Sequence, residues 1–311
     1  MSPPSSPPGN EGLREGALHA AVQAALAGRP APLEDLLVRH GGGHDRRPNL
    51  KLAAAFGAEV AAADAPVAAA RLLARLGAED AAPDTPRVFL PIAAAHGWTA
   101  CLRGRRENQP QAWAALAELA ADERAPVRAG ALDALLAHAA RDGGARRLVA
   151  EAAGWLQLED AERRFGAAAL VVEVLADRRA LAAAGDPAPL FAYLSGALAA
   201  AAAATRSAER SDARRRLLQA LPRALAAAVS VFTAGERGAA WLEGECAEAR
   251  RPDVREALSD AIRTLATKKE GTATVVAERL RAALSGSAKP PRDPTRVRPG
   301  AGRGRASRRV R

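Results

Sequence analysis

The stretch DERAPVRAGALDALLAHAARDGG, Asp122 to Gly144, has the pattern of one amphipathic helix between two turns. Val127, Ala131, Leu135 and Ala139 recur every four residues, so they lie on one face of the predicted helix. Charged side chains occupy the opposite face, and a glycine pair suited to ending a helix follows. Such a helix is stable only when neighbouring helices cover its apolar face.

The same pattern returns in RPDVREALSDAIRTLATKKEG, Arg251 to Gly271. In both stretches Val-Arg is followed, after four residues, by Asp-Ala and a branched aliphatic residue. The two arginines, Arg128 and Arg255, are 127 positions apart, which is close to three periods of about 42 residues. ERRFGAAALVVEVLAD and DAPVAAARLLARLG are looser copies. A period of this length is typical of helix pairs that stack in series, each covering the apolar face of the next.

The rest of the chain contains no alternating pattern typical of a strand, and its breaks are rich in glycine and proline. We expect Pro222 to kink or split its helix at Leu221. The predicted helices lie near residues 12–27, 32–39, 49–62, 65–76, 86–95, 109–121, 125–140, 144–156, 160–177, 187–205, 211–233, 235–248, 252–267 and 271–284.

DERAPVRAGALDAL resembles the second-helix signature of HEAT repeats, and RPDVREALSDAI is similar to it. The resemblance implies an all-α, right-handed α-solenoid that binds other macromolecules. It also implies that Asp122 lies in a turn and forms, with Arg128, part of a hydrogen-bond ladder between repeats. The sixth residue before Arg255 is Ala249, which leaves that copy without the aspartate. The signature residues are Asp122, Pro126, Val127, Arg128, Asp133, Val254, Arg255 and Asp260.

The composition divides the chain into three parts. Residues 1–10 and 285–311 are rich in Pro, Ser, Gly or Arg, and we predict that both are disordered tails. Residues 11–284 form the predicted HEAT-like solenoid, with weaker repeats over 11–104 and clearer repeats over 105–284.

The net charge of +10 comes mostly from the C-terminal tail, which carries +8 and leaves +2 for the remainder. The tail is expected to attract nucleic acid or another acidic partner without sequence preference. A solubilising end with no dedicated partner is the alternative. The tail residues assigned to this binding are Arg292, Arg296, Arg298, Arg303, Arg305, Arg308, Arg309 and Arg311.

Arginine pairs also recur near predicted helix boundaries. If each repeat contributes one pair at the same end, they form a basic edge that tracks phosphates. Helix capping and local ion pairing are the alternative. The edge residues are Arg105, Arg106, Arg146, Arg147, Arg178, Arg179, Arg215, Arg216, Arg250 and Arg251.

The sequence offers little for catalysis. No Gly-x-Ser-x-Gly, phosphate-loop or His-Glu-x-x-His motif occurs. The glycines in HGGGH, between His40 and His44, indicate a flexible loop rather than a metal site. The four tryptophans either fill gaps between alanine-rich helices or line a binding groove. Trp155, with Glu151 and Glu159, bears a remote likeness to the DNA-alkylation-repeat glycosylases, which are HEAT-like enzymes.

We therefore expect a non-enzymatic binding module for a protein partner, without cofactor or metal. The alternative is a nucleic-acid-binding solenoid, with the glycosylase as its most specific form. Two distant cysteines and the absence of a secretory signal favour a reduced, cytoplasmic protein. The longest apolar stretch, residues 188–204, is largely alanine, which predicts a packed helix and no membrane association.

Overall fold

The computed structural model describes residues 16–42, 47–103, 109–232, 236–267 and 271–286, and these ranges contain helices and no strand. Both predicted tails lie almost entirely outside the described residues. The α-helices of the described ranges are α1 (Ala17–Leu26), α2 (Ala31–His40), α3 (Leu50–Ala62), α4 (Pro66–Gly77), α5 (Phe89–Cys101), α6 (Gln109–Ala121), α7 (Ala125–Ala139), α8 (Gly144–Ala152), α9 (Ala161–Leu175), α10 (Arg178–Ala182), α11 (Ala188–Ala202), α12 (Asp212–Val231), α13 (Arg237–Glu248), α14 (Pro252–Ala266) and α15 (Gly271–Gly286).

Turn chemistry sets most of the helix boundaries. Proline stands in the first turn of α2, α4, α7, α11 and α14, where its missing donor is not needed. The side chains of Asn49, Asp160, Asp177 and Ser211 accept hydrogen bonds from the free amides that open α3, α9, α10 and α12. The predicted breaks therefore coincide with real helix ends.

Three helices differ from the prediction. Helix α5 continues to Cys101, beyond the predicted end at residue 95, because its last turns are buried against other helices. The short helix α10 was not predicted, and its first amides donate to Asp177. The expectation of a split at Pro222 was wrong, because α12 continues through it from Asp212 to Val231. The packing of α9 and α14 against α12 offsets the lost hydrogen bond.

The helices pack mainly on neighbours that are close in the chain. Contacts run from α3 to α5, from α5 to α7, from α7 to α9, from α9 to α12 and from α12 to α14, and α15 packs on α13 and α14. The main contacts of each described helix involve helices no more than four places away. The buried side chains form one continuous apolar cluster that passes along this series.

Both predicted apolar stripes are buried. Val127, Ala131, Leu135 and Ala139 in α7 have no exposed area. The stripe of α14, which comprises Val254, Leu258, Ile262 and Leu265, is also buried. Alanine and glycine on these faces allow the helix backbones to approach closely, and the larger residues fill the remaining space.

The signature arginines make a repeated contact with the main chain. Arg128 Nη1 donates to the carbonyl oxygen of Asp122, six residues earlier, at 2.7 Å. Arg164 Nη1 donates to the carbonyl oxygen of Leu158 at 2.9 Å, and Arg255 Nη1 donates to that of Ala249 at 3.3 Å, again at a separation of six. We call this contact the arginine clamp. Because its acceptor is a main-chain carbonyl, the clamp forms whichever side chain stands at the turn.

Asp122 has a different role from the one that the resemblance implies. Its carboxylate accepts from Arg124 Nε at 2.9 Å and from Arg124 Nη2 at 2.7 Å. Arg124 Nη1 in turn donates to the carbonyl oxygens of Glu79 and Ala81, at the turn that follows α4. The link between these two turns thus passes through Arg124, with Asp122 as the carboxylate that orients it.

Other contacts join elements at a similar separation. The bonds His19 to Glu59, Arg75 to Glu34, Arg251 to Glu209, Arg214 to Asp253 and Arg279 to Glu236 span 39 to 43 residues. Those from Arg124 to the carbonyls of Ala81 and Glu79 span 43 and 45 residues. These separations match the period of about 42 residues predicted from the sequence.

Gly57 provides a test of the close helix packing. A Cβ atom at this position in α3 would lie 2.7 Å from the main-chain oxygen of His96 in α5. We expect Gly57→Ala to lower the free energy of unfolding by about 1–3 kcal/mol, because the α5 backbone must shift. Gly244→Ala is the matched control, since nothing lies within 4 Å of its Cβ position. The control should gain up to about 1 kcal/mol from helix propensity.

Urea unfolding followed by circular dichroism measures both changes. If Gly57→Ala proves as stable as the parent chain, α3 and α5 do not pack at the described distance.

Candidate binding surface

A groove lies on one side of α7, α9 and α12, and we call it the central groove. Its volume is about 210 Å³. Gly166 lets α9 pack closely on the end of α6 beside the groove, because a Cβ atom there would lie 2.9 Å from Ala121 Cα. The lining residues are Ala120, Ala125, Arg128, Ala129, Leu132, Gly166, Ala169, Leu170, Glu173 and Arg216.

The central groove contains more positive than negative charge. Glu173 is half-buried on α9, and burial raises its pKa. The positive charges of Arg223, Arg128 and Arg216 act in the opposite direction. Burial lowers the pKa of Arg128, and the charge of Arg216 lowers it further. The charges of three guanidinium groups therefore act on one carboxylate, and the half-buried side chain of Leu132 lines the same groove.

A second groove, of about 490 Å³, lies between α12 and α14, and we call it the C-terminal groove. Its charges are largely paired with each other. Arg263 Nη2 lies 3.0 Å from Asp260 Oδ1, and Arg215 Nη1 lies 2.8 Å from the neighbouring Asp212 Oδ1. The charged residues that line this groove have a net charge of −1, whereas those that line the central groove have +1, so only the central groove offers positive charge to an acidic partner.

A buried arginine holds α12 against α14 beneath the C-terminal groove. Arg214 is 3% exposed, and its Nε and Nη2 atoms donate to the carbonyl oxygen of Ala201. Nη2 also donates to Asp253 Oδ2 at 2.5 Å. Burial alone would raise the pKa of Asp253, but the hydrogen bond and charge of Arg214 hold it below its ordinary value. The ion pair fixes the relative position of α12 and α14, the two helices that form the C-terminal groove.

The predicted basic edge divides into two groups. Several of its arginines are engaged locally: Arg179 pairs with Asp177, Arg215 with Asp212, and Arg251 with Glu209 and Asp253. Arg250 Nη1 donates to the carbonyl oxygen of Ala247. Capping and ion pairing, the alternative interpretation of the pairs, therefore describes these positions.

The remaining arginines of the predicted basic edge are not engaged in such local contacts, or lie outside the described residues. Arg146 and Arg147 are exposed in the first turn of α8, and Arg178 is exposed at the start of α10. Arg216 lines the central groove. Arg105, Arg106 and the eight tail arginines lie outside the described residues.

Three of the four tryptophans belong to the core. Trp98, Trp113 and Trp155 are buried, and the rings of Trp113 and Trp155 meet edge to face at 6.1 Å. Trp241 stacks on Phe191 at 4.5 Å, and its Nε1 donates to Ser195 Oγ. The buried Trp155 leaves no ring face on which a base could stack, so the geometry gives no support to the glycosylase alternative.

Within the described ranges, no group of three or more His, Cys, Asp or Glu side chains is arranged to hold a metal ion. None of the helices described is both long and apolar enough to cross a membrane. Comparison with protein family models, curated proteins and solved structures finds no match to the chain. Any function proposed for the chain therefore rests on the geometry of its own grooves and charged side chains.

Two residues were missed in the sequence: Glu173, which lines the central groove, and Arg223, whose charge acts on Glu173. Glu173 follows Gly166 by seven residues on α9, and Arg223 follows Arg216 by seven on α12. A separation of seven places both members of a pair near the same side of a helix. The spacing was therefore visible in the sequence, but only the packing of α9 on α12 shows that these sides of the two helices lie next to each other.

The buried His138 makes the stability of the fold depend on pH. It is 4% exposed, and both of its ring nitrogens lack hydrogen-bond partners. Burial lowers its pKa from 6.5 to about 4, and the charges of Arg147, Arg103 and Arg141 contribute. In the unfolded chain this group binds a proton at higher pH than in the folded chain, so stability falls as pH decreases from about 6.5 to about 4.

We expect this residue alone to lower the free energy of unfolding by about 2 kcal/mol between pH 7 and pH 5. His138→Leu should reduce that dependence, whereas His19→Gln, at an exposed position, should retain it. Urea unfolding at several pH values measures the effect. An unchanged pH dependence in His138→Leu would contradict the assignment.

Proposed function

We propose that this chain is a non-enzymatic HEAT-like scaffold, a right-handed α-solenoid that binds an extended segment of a partner protein in the central groove. The arginine clamps at Arg128, Arg164 and Arg255 support repetition of one structural unit. The contacts that span 39 to 45 residues support stacking of successive units. In such a stack, helices of the same type lie side by side and offer a continuous surface to a partner.

The observation that carries the proposal is the positive excess of the central groove, which Arg128 and Arg216 line together with the half-buried Glu173 and to which Arg223 adds its charge. Guanidinium groups bind carboxylates through paired hydrogen bonds, so the positive excess favours an acidic segment. Leu132 and the neighbouring alanines offer apolar contact beside these charges. A shallow groove of about 210 Å³ is smaller than typical small-molecule pockets and suits side chains of a peptide that crosses several helices.

The proposal assigns no catalytic residue and no cofactor. It places the protein in the cytoplasm, and the free, buried Cys101 and Cys246 support a reduced compartment.

Selection of peptides from a random displayed library against the full chain tests the proposal. We expect the enriched peptides to combine Asp or Glu with apolar residues. The double variant Arg216→Glu, Arg223→Glu should weaken their binding at least tenfold, because it reverses one charge that lines the central groove and one that acts on its Glu173.

Arg29→Glu with Arg71→Glu is the matched control, since both side chains are exposed on helices or turns far along the chain from the groove. Thermal unfolding establishes that both double variants are folded. Peptides without acidic residues, or binding that both double variants weaken equally, would refute the proposal.

A further inference from the structure

Four arginines meet where α5 and α7 end and α8 begins. Arg103 follows the last turn of α5, and Arg141 follows the last turn of α7. Arg146 and Arg147 lie in the first turn of α8. All four side chains are exposed, and we call them the α8 basic cluster.

The electrostatic contacts show that the cluster is a local concentration of charge. Arg147, Arg103 and Arg141 all act on the buried ring of His138. Burial lowers the pKa of Arg103, and the charge of Arg141 lowers it further. Within the part of the chain that the structure describes, no carboxylate lies at ion-pair distance from any of the four arginines. Asp142 directly follows Arg141 without forming such a pair, and it leaves the four arginines with a net charge of +3.

The backbone at this place also favours an anion. Gly143, the residue before α8, has a positive φ of 66° and offers no capping side chain. The first turn of α8 contains no acidic residue. The amides of Gly143 and Gly144 already donate to the carbonyl oxygens of Ala183 and Arg141, so the helix N-terminus contributes its partial positive charge rather than a free cradle of amides.

The basic surface extends beyond the cluster towards α10. Gly143 donates from its amide to the carbonyl oxygen of Ala183, directly after α10, and α10 packs on α7 and α8. Arg178 opens α10 with an exposed side chain. Positive charge distributed over the ends of four helices matches a chain of phosphates better than one free phosphate.

The composition of this surface favours a nucleic acid over an acidic protein as the binding partner. Protein interfaces are centred on large apolar or aromatic anchors. Among the described residues the exposed large apolar side chains are Val67 and Val275, and neither lies on α5, α7, α8 or α10. The surface therefore offers charge without an apolar centre, which is the pattern of backbone-directed nucleic-acid binding.

We propose that the α8 basic cluster binds the phosphodiester backbone of a nucleic acid without reading its bases. The binding is independent of the central groove, since it uses other residues on other helix ends. It is strong at low salt and weakens steeply as salt is added, because each neutralised phosphate releases a counterion.

Fluorescence anisotropy of a labelled 20-nucleotide DNA, single-stranded or duplex, across a series of NaCl concentrations tests the proposal on the full chain. The variant that replaces Arg103, Arg141, Arg146 and Arg147 with Gln should bind at least tenfold more weakly. The slope of log affinity against log salt should become shallower by about 2 to 4, as about that many phosphate contacts are lost.

The matched control replaces four other exposed arginines with Gln: Arg29, Arg39, Arg71 and Arg210. It removes the same charge and should leave both affinity and slope near those of the parent chain. The same comparison in a chain whose eight tail arginines are Gln separates the cluster from the tail, and the cluster variant should still weaken binding there.

Equal losses in the cluster variant and the control would overturn the proposal, as would loss of the cluster effect once the tail is neutral. Binding of poly-glutamate as tight as that of DNA, with the same dependence on the cluster, would also overturn it in favour of an acidic protein. If the fourfold variant unfolds, Arg146→Glu alone is the second test, because that side chain is exposed and should weaken DNA binding severalfold.

Discussion

Close packing of alanine- and glycine-rich helix faces is the constraint on which the rest of this structure depends. A face that carries Ala131, Ala139 and Val127 buries little area per residue, so it needs a neighbour at short distance along its whole length. Gly57 shows how short that distance is, since no Cβ fits between α3 and α5. Each helix can meet this requirement only through other helices, and the main contacts are with helices nearby in the chain.

Arginine provides the polar connections in the same arrangement. The clamp secures a turn to the helix that follows it, and the longer contacts, such as Arg214 to Asp253 and Arg124 to the carbonyl of Glu79, secure one unit to the next. A guanidinium group suits both tasks because it offers several donors in a rigid plane. The abundance of arginine is therefore in part structural. At the start of α8 and around the central groove the arginines outnumber the carboxylates beside them, and this positive excess is available to partners.

Much of the fold was predictable from the sequence, because helix positions follow from local periodicity and turn residues. The apolar stripes of α7 and α14 and the period of about 42 residues could be predicted without knowing how the helices pack. The central groove and the α8 basic cluster depend on which helix faces meet. Adjacent arginine pairs led to Arg146 and Arg147, but Arg103 and Arg141 are single arginines whose proximity appears only when α5, α7 and α8 are packed together. The acceptor of the arginine clamp could not be predicted either, because every residue has a main-chain carbonyl and the sequence does not show which one the arginine contacts.

Hydrogen exchange along the full chain, compared with that of Leu258→Ala, tests most directly whether each helix depends on its near neighbours. Leu258 is buried in α14, so its truncation should cost about 2–5 kcal/mol at that site. The account predicts loss of amide protection in α12, α13, α14 and α15, with α3 and α5 protected as in the parent chain. An equal loss of protection in all of the described helices would contradict it, because the chain would then be a single cooperative globule.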